Sequence, residues 1–313
     1  MILFILRRLL FGVSLIFVVA SLAFFLVFAD GASVARSILG ESATADEVAA
    51  KAHELGLDRP IFVQYADWLG SAVRGDLGVS YFTTETVAQA VSSRVGVTLS
   101  IVLGAVLVTA IVSIGLGMLA AVRRGNVDRA VQVLSVAGIS LPNYWVALML
   151  VLWLAVGLKI FPATGYVPPD VSVGAWLATI ALPVTALAIG GVAAATQQVR
   201  GAVIDVLQAD YIRTARSRGT KEGAILFRHA LKNAAPPGLT ILSLQFIGLL
   251  SGAIVIEKVF ALPGLGTLAV NATLQGDTPI VLGVVVITVV LVVVVNLLID
   301  LANGWVNPKV RLS

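Results

Sequence analysis

Residues 209–233 hold the densest set of polar and basic side chains in the sequence. Arg213, Arg216, Arg218, Lys221, Arg228 and Lys232 stand there beside Asp210, Glu222 and the hydroxyls of Tyr211 and Thr214. Guanidinium groups are permanent donors. They recognise carboxylates and protein surfaces but do not serve as nucleophiles or proton shuttles. Tyr211, Ile212 and Ala215 precede Gly219, and Ala224, Phe227 and Leu231 follow it at helical spacing. The pattern predicts two short helices joined by a left-handed link at Gly219. Anchoring beside a membrane would use the basic residues but needs no apolar faces. A compact helix–Gly–helix with an apolar stripe also suits a plug for a groove on another protein.

Other chemistry is sparse. There are no cysteines, which excludes thiolate nucleophiles, thiolate metal sites and disulfides. The two histidines, His53 and His229, are far apart and lack ligand spacing. No Gly-x-x-x-x-Gly-Lys-Ser/Thr sequence occurs, nor any Gly-Lys pair, so ATP binding by a P-loop is not expected. Ser-His-Asp and paired-carboxylate arrangements are also missing. The reading is of a chain that is not an enzyme, binds no cofactor or metal of its own, and gives no sign of a nucleic-acid partner.

The elements that must position the 209–233 segment lie in a membrane. Hydrophobic residues make up 58% of the 313 and charged residues 12%, against roughly 45–50% and about 25% in soluble domains. Mean hydropathy is +1.00. A span needs about 20 apolar residues, and residues 9–29, 97–121, 131–157, 175–198, 237–256 and 280–302 qualify. The expected fold is all-α, with six transmembrane helices. Arg7-Arg8 before an apolar run resembles a signal peptide. The run exceeds the roughly 7–15 residues of a signal core, so an uncleaved first helix is expected. Pro142 and Pro183 should kink or break spans three and four. Asn143, Gln197, Gln198, Gln245 and Asn296 are expected to hydrogen-bond between helices. No ionisable residue lies mid-span, which disfavours a proton-coupled carrier.

Basic residues orient the chain. Segments on the side shared by both termini hold fourteen Lys and Arg, and the opposite loops hold seven, so both termini should be cytoplasmic. The expected organisation is a first transmembrane helix at 1–29, an extracytoplasmic cap at 30–96 and a five-helix core at 97–313. The core contains the cytoplasmic loop 199–236 and an extracytoplasmic hairpin, 257–279. In the cap, Thr44 and Glu47 form a capping box opening a helix that Gly56 should stop. Pro60 should open a second helix with Ile61, Tyr65, Trp68 and Leu69, and residues 84–95 a third. The cap is either a lid on the bundle or a docking surface. In the hairpin, Pro263-Gly264 and Gly266 predict a tight turn, with a short helix over 267–274.

Motifs along the chain resemble one family. The stretch Asp210-Tyr211-Ile212-Arg213-Thr214-Ala215-Arg216-Ser217-Arg218-Gly219, then Arg228-His229-Ala230-Leu231-Lys232-Asn233, is similar to the coupling loop of binding-protein-dependent ABC importer permeases. The dipeptide/oligopeptide branch is the nearer likeness. Leu55-Gly56-Leu57-Asp58-Arg59-Pro60, Ser140-Leu141-Pro142-Asn143-Tyr144-Trp145, Glu257-Lys258-Val259-Phe260-Ala261-Leu262-Pro263-Gly264-Leu265-Gly266 and the tail Asn307-Pro308-Lys309-Val310-Arg311 fit the same branch. The general family reads Glu-Ala-Ala, three residues, then Gly. Here Arg213, Thr214, Ala215 and Gly219 stand at those places, as they often do in the peptide branch.

The resemblance implies a type I importer in a prokaryotic inner membrane. Two permeases, usually different, would form the pore in the lipid bilayer. Two ABC ATPase subunits would hold the ATP and Mg²⁺, and an extracytoplasmic binding protein would deliver solute. Asp210, Tyr211, Arg213, Thr214, Ala215, Arg216, Arg218, Gly219, Phe227 and Leu231 would then form the ATPase-coupling loop. Ala215 and Gly219 would permit close approach, and the three arginines would make polar contacts. Relatives of the peptide branch also carry nickel chelates, glutathione or haem, and no residue reads out as a substrate contact. A free-standing secondary carrier and a membrane scaffold are the alternatives outside the family.

Overall fold

The computed structural model describes residues 2–28, 31–40 and 42–306. The tail motif at 307–311 lies outside them, as do the side chains of residues 228, 229 and 232–237. The described residues form helices α1 (Ile2–Val27), α2 (Gly31–Leu39), α3 (Ala45–Glu54), α4 (Ile61–Ala72), α5 (Val87–Val122), α6 (Asn126–Ser140) and α7 (Asn143–Leu150). A π-helical stretch, Val151–Gly157, prolongs α7. There follow α8 (Val173–Gln208), α9 (Asp210–Ser217), α10 (Glu222–Ala224) with a second π-helical stretch, Ile225–Ala230, then α11 (Leu231–Val259), α12 (Leu265–Gln275) and α13 (Thr278–Val306). Five helices are long and apolar enough to cross a membrane: α1, α5, α8, α11 and α13. The third expected span is a pair, α6 and α7 with its π-helical extension, bent by 98° at Leu141-Pro142. Proline cannot donate to the preceding turn, and its ring disfavours helical geometry in the residue before it. Leu141 accordingly adopts an extended conformation. Counted as one, the pair makes the sixth span.

Pro183 behaves differently. Helix α8 runs unbroken through it. One backbone donor is lost, but Leu182, Pro183 and Val184 are all buried among neighbouring side chains, which hold the helix in place. Of the kink or break expected there, the break does not occur. The helix expected at 84–95 to lead into span two begins at Val87 and forms the first turns of α5.

The chain divides into two compact units, residues 1–96 with 263–294, and residues 97–262 with 295–313. In the first, Thr44 caps α3 with the reciprocal Glu47 contacts of a capping box, and Gly56 takes a positive φ of 68° just past its end. Pro60 is the residue before α4 rather than its first turn. Helices α2 and α3 bury Val34, Ala35, Val48, Ala52 and Leu57 together. The first turns of α5 bury Val87, Ala90 and Val91 against Leu265 and Ala272 of α12 and Ile280 and Val284 of α13. The contact is close. A methyl added at Gly283 would lie 2.1 Å from the Val87 side chain.

A polar knot ties the same unit. Buried Asp277 accepts hydrogen bonds from the Ser80 hydroxyl and, at 3.2 Å, from the Tyr81 N–H. Ser80 Oγ in turn accepts from the N–H groups of Phe82 and Thr83 at 3.1 and 3.0 Å. A loop and the start of α13 are thereby fixed 197 residues apart in sequence.

The second unit is built around α8, which packs on α6, α7 and α11. Small residues set these approaches. Added methyls at Gly104, Gly117 and Gly138 would lie 2.8 Å from Val184, 2.8 Å from Val199 and 2.9 Å from Ala193, the close packing that membrane helices favour. Polar pairs lock the ends. Arg200 grips Asp128 through two hydrogen bonds, 2.5 and 2.7 Å, and Thr98 donates to the fully buried Glu257 at 2.6 Å. Ser243 donates to Asn296, one of the interhelical bonds expected from sequence. Replacing Asp277 with Ala should leave the Ser80 and Tyr81 donors without their acceptor, costing on the order of 1–3 kcal/mol. Thermal unfolding of the purified protein in detergent should show a clear drop in midpoint; an unchanged midpoint would contradict the role given to this knot.

Candidate functional site

One residue, Ala209, separates α8 from α9, and Ala209 is extended, so the chain turns sharply there. Helix α9 ends in a defined way. The Gly219 N–H donates to Arg216 O at 2.9 Å and the Thr220 N–H to Ala215 O at 3.1 Å. This pair of reversed bonds is the Schellman arrangement, which needs a left-handed residue between helix and exit. Gly219 supplies it with φ of +78°. Nothing lies within 4 Å of where its Cβ would be. The requirement is therefore conformational, not steric.

The loop has an inner and an outer face. Ile212 and Ile225 are fully buried, one on each arm. Ala230 is buried with Ala121 of α5 and Val203 of α8, which fixes the far end of the loop to the lower turns of two long helices. Asp210, Arg213, Thr214, Arg216, Arg218 and Gly219 are exposed, and Ala215 is half-buried. Tyr211 is 48% and Phe227 69% exposed. The two aromatics thus lie outside the anchored core of the loop. Leu231, counted with the loop from sequence, is half-buried and lines a cavity of about 210 Å³ with Ala110, Ser113, Ala195, Val199 and Leu242.

The arms are clipped across the turn. Arg216 donates from Nε to Glu222 Oε1 at 2.7 Å and from Nη2 to Oε2 at 3.2 Å, a bidentate pair. The hydrogen bond from Arg216 holds the Glu222 carboxyl below its usual 4.5, and the same bond raises the guanidinium. Arg213 approaches Asp210 at 3.7 Å within α9. Arg218 remains on the exposed face. Sequence reading singled out the arginines, gave Glu222 no role and missed Ile225 and Ala230. Glu222 was findable as the acid facing Arg216 across the glycine turn. Ile225 carried no signal, because its burial is a tertiary fact. Among the described residues no group of three or more His, Asp or Glu is placed to hold a metal.

An anchored, clipped loop with an exposed aromatic and cationic face can transmit force or recognise a surface, and the likeness to known proteins narrows the choice. Residues 113–312 match the family described as binding-protein-dependent transport system inner membrane component. Residues 1–102 match the corresponding amino-terminal family of these membrane components. The chain belongs to this transport family. A Brucella abortus protein assigned as a peptide transport system permease is 37% identical over 308 residues, covering 98% of each chain. A Sinorhizobium fredii protein assigned as a peptide ABC transporter permease is 35% identical, covering 98% of this chain and 99% of its own. The oligopeptide transport system permease protein AppB of Bacillus subtilis is 36% identical over 260 residues, 82% of each chain. The family's fold is that of type I ABC permeases, and the helical, strand-free architecture of the described residues agrees with it.

Two outcomes test the loop geometry. Gly219→Val should force a β-branched residue into the left-handed region, with normal membrane insertion but loss of transport. Gly219→Asn, which tolerates that region better, should retain a substantial part of it. Equal activities in the two variants would reject the conformational role. The Arg216–Glu222 clip carries a pH signature. A carboxylate with a depressed folded pKa stabilises above its unfolded value and loses that contribution as pH falls through the folded one. The clip should therefore be indifferent to pH across the neutral range and open only as pH falls below the ordinary glutamate range. Protease nicking of the loop should rise only in that acid range, and in Glu222→Gln it should already be high at pH 7.

Proposed function

We propose that this chain is one of two permease subunits of an ATP-driven peptide importer, and that it couples to a separate ATPase through the exposed face of residues 209–227. The observation that carries the reading is the match, at 37% identity over 98% of both chains, to a relative assigned as a peptide transport system permease. The loop supports it physically. A plug that must pass motion to the membrane helices has to be rigid, and this one is anchored by Ile212, Ile225 and Ala230, capped at Gly219 and clipped by Arg216 and Glu222. Tyr211 and Phe227 supply apolar contact, and Arg213 and Arg218 supply polar contact, to a groove on the ATPase.

On this reading both termini and residues 199–236 face the cytoplasm, and residues 30–96 and 257–279 face outward, as the distribution of Lys and Arg favours. ATP and Mg²⁺ sit in the partner subunits. Closure of the ATPase pair pushes the loop, and α8 and α11 move as rigid bodies to alternate access. The separate binding protein delivers the peptide and sets its identity.

The reading is tested in vesicles holding this chain, a second permease, the ATPase subunits and the binding protein. ATP-dependent uptake of labelled di- or oligopeptides is expected, with none from this chain alone. Uptake by the chain alone, without ATP, would replace the importer with a secondary carrier. ATP-driven uptake of a non-peptide solute to the exclusion of peptides would keep the importer and reject the substrate class.

A further inference from the structure

Helix α4 is turned the wrong way for a helix in water. An amphipathic surface helix buries its apolar stripe and leaves its polar face to solvent. In α4 the polar residues bond back to the preceding loop or line a cavity, with Gln64 and Ser71 half-buried and Asp67 at the exposed edge. Gln64 donates to the carbonyls of Leu57 and Arg59 at 3.2 and 2.8 Å. Asp67 accepts from Arg59 at 2.9 Å. Both side chains, with Ser71, line a cavity of about 280 Å³. The outward stripe is apolar instead. Phe62, Ala66, Leu69 and Val73 recur at i, i+4, i+7 and i+11, which places them along one line. Phe62 is 73% and Val73 81% exposed.

The contacts of α4 fix its level along α1. Ring contacts join Phe62 and Tyr65 to Phe25, and Tyr65 and Trp68 to Phe24. The Tyr65 and Ser21 hydroxyls share a hydrogen bond of 2.6 Å. With Arg8 at the opposite boundary, a rise of 1.5 Å per residue puts Ser21 roughly 20 Å and Phe25 roughly 26 Å into a hydrocarbon layer about 30 Å thick. Phe25 is therefore just inside the membrane boundary, and Phe62 packs on it. The surface of α1 at that level is itself apolar and exposed, at Leu22 and Leu26, so the stripe on α4 continues a lipid-facing surface.

We propose that α4 is an interfacial helix, with the Phe62–Ala66–Leu69–Val73 stripe seated in the boundary layer of the bilayer beside the Val27 end of α1. Aromatic side chains favour that layer, and an apolar face with its polar side turned away is what binds there. Exposed Arg74 follows the stripe and places a cation at headgroup level. The helix would tether the first span to the membrane surface independently of what the protein transports.

The sequence has no cysteine, so single labelling sites can be added without altering any native thiol. The full chain carrying Phe62→Cys, Val73→Cys or, as a solvent reference on α3, Ala50→Cys is spin-labelled and reconstituted in phosphatidylethanolamine–phosphatidylglycerol liposomes. Collision with oxygen, which concentrates in lipid, is compared with collision with a water-soluble nickel chelate. At positions 62 and 73 oxygen should exceed the chelate several-fold, with the reverse at 50. Chelate access at 62 and 73 equal to that at 50 would place the stripe in water and overturn the proposal. Low access to both reagents would mean that protein covers the stripe, and would overturn it equally.

Discussion

Inside hydrocarbon a peptide group has no water to bond to, so each N–H and C=O must find its partner within the protein. Helices meet that demand locally, which is why the described residues are helical almost throughout. The exceptions occur where the demand is met in another way. The bend at Leu141-Pro142 comes where proline has already removed the donor. Outside the expected spans the loop at 79–86 is irregular, and Ser80 and Asp277 accept from three of its N–H groups.

With backbone pairing fixed, lateral packing decides the rest. Lipid tails are as apolar as leucine, so burying a methyl group between helices gains little over leaving it in lipid. Close contact is what favours association, and glycine permits it at positions 104, 117, 138 and 283, where a single methyl would collide with a valine or alanine. The same positions accept substitution poorly. By contrast, Gly219 faces open space and is needed for its backbone angle alone. Two glycines of identical chemistry thus answer to unrelated constraints.

Much of this was legible in the residues. The apolar blocks marked the spans, Thr44 and Glu47 marked a helix start, and Gly219 marked a left-handed turn, because each signal is local. Proline was ambiguous: Pro142 ends a helix and Pro183 does not, and the difference lies in packing around α8 that no window of sequence contains. The inner half of the candidate loop was hidden for the same reason. Arg213, Arg216 and Arg218 were conspicuous by charge, whereas Ile225 looks like any other apolar residue until the chain has folded around it. The folding of residues 263–294 with the first 96 is equally non-local, resting on contacts such as Val87 with Gly283.

The near absence of spacer at Ala209 has a mechanical meaning. Helix α8 has 36 residues, about 54 Å of continuous rod, and α9 is joined to its end through a single extended residue. The far arm runs from Glu222 through the second π-helical stretch into α11 without a coil between. A flexible tether would absorb a push as slack. If the loop is pushed as proposed, a crank of this build would convert a small displacement at its handle into tilt along the shaft, and the stroke at the distant end of α8 would be set by lever length and pivot position.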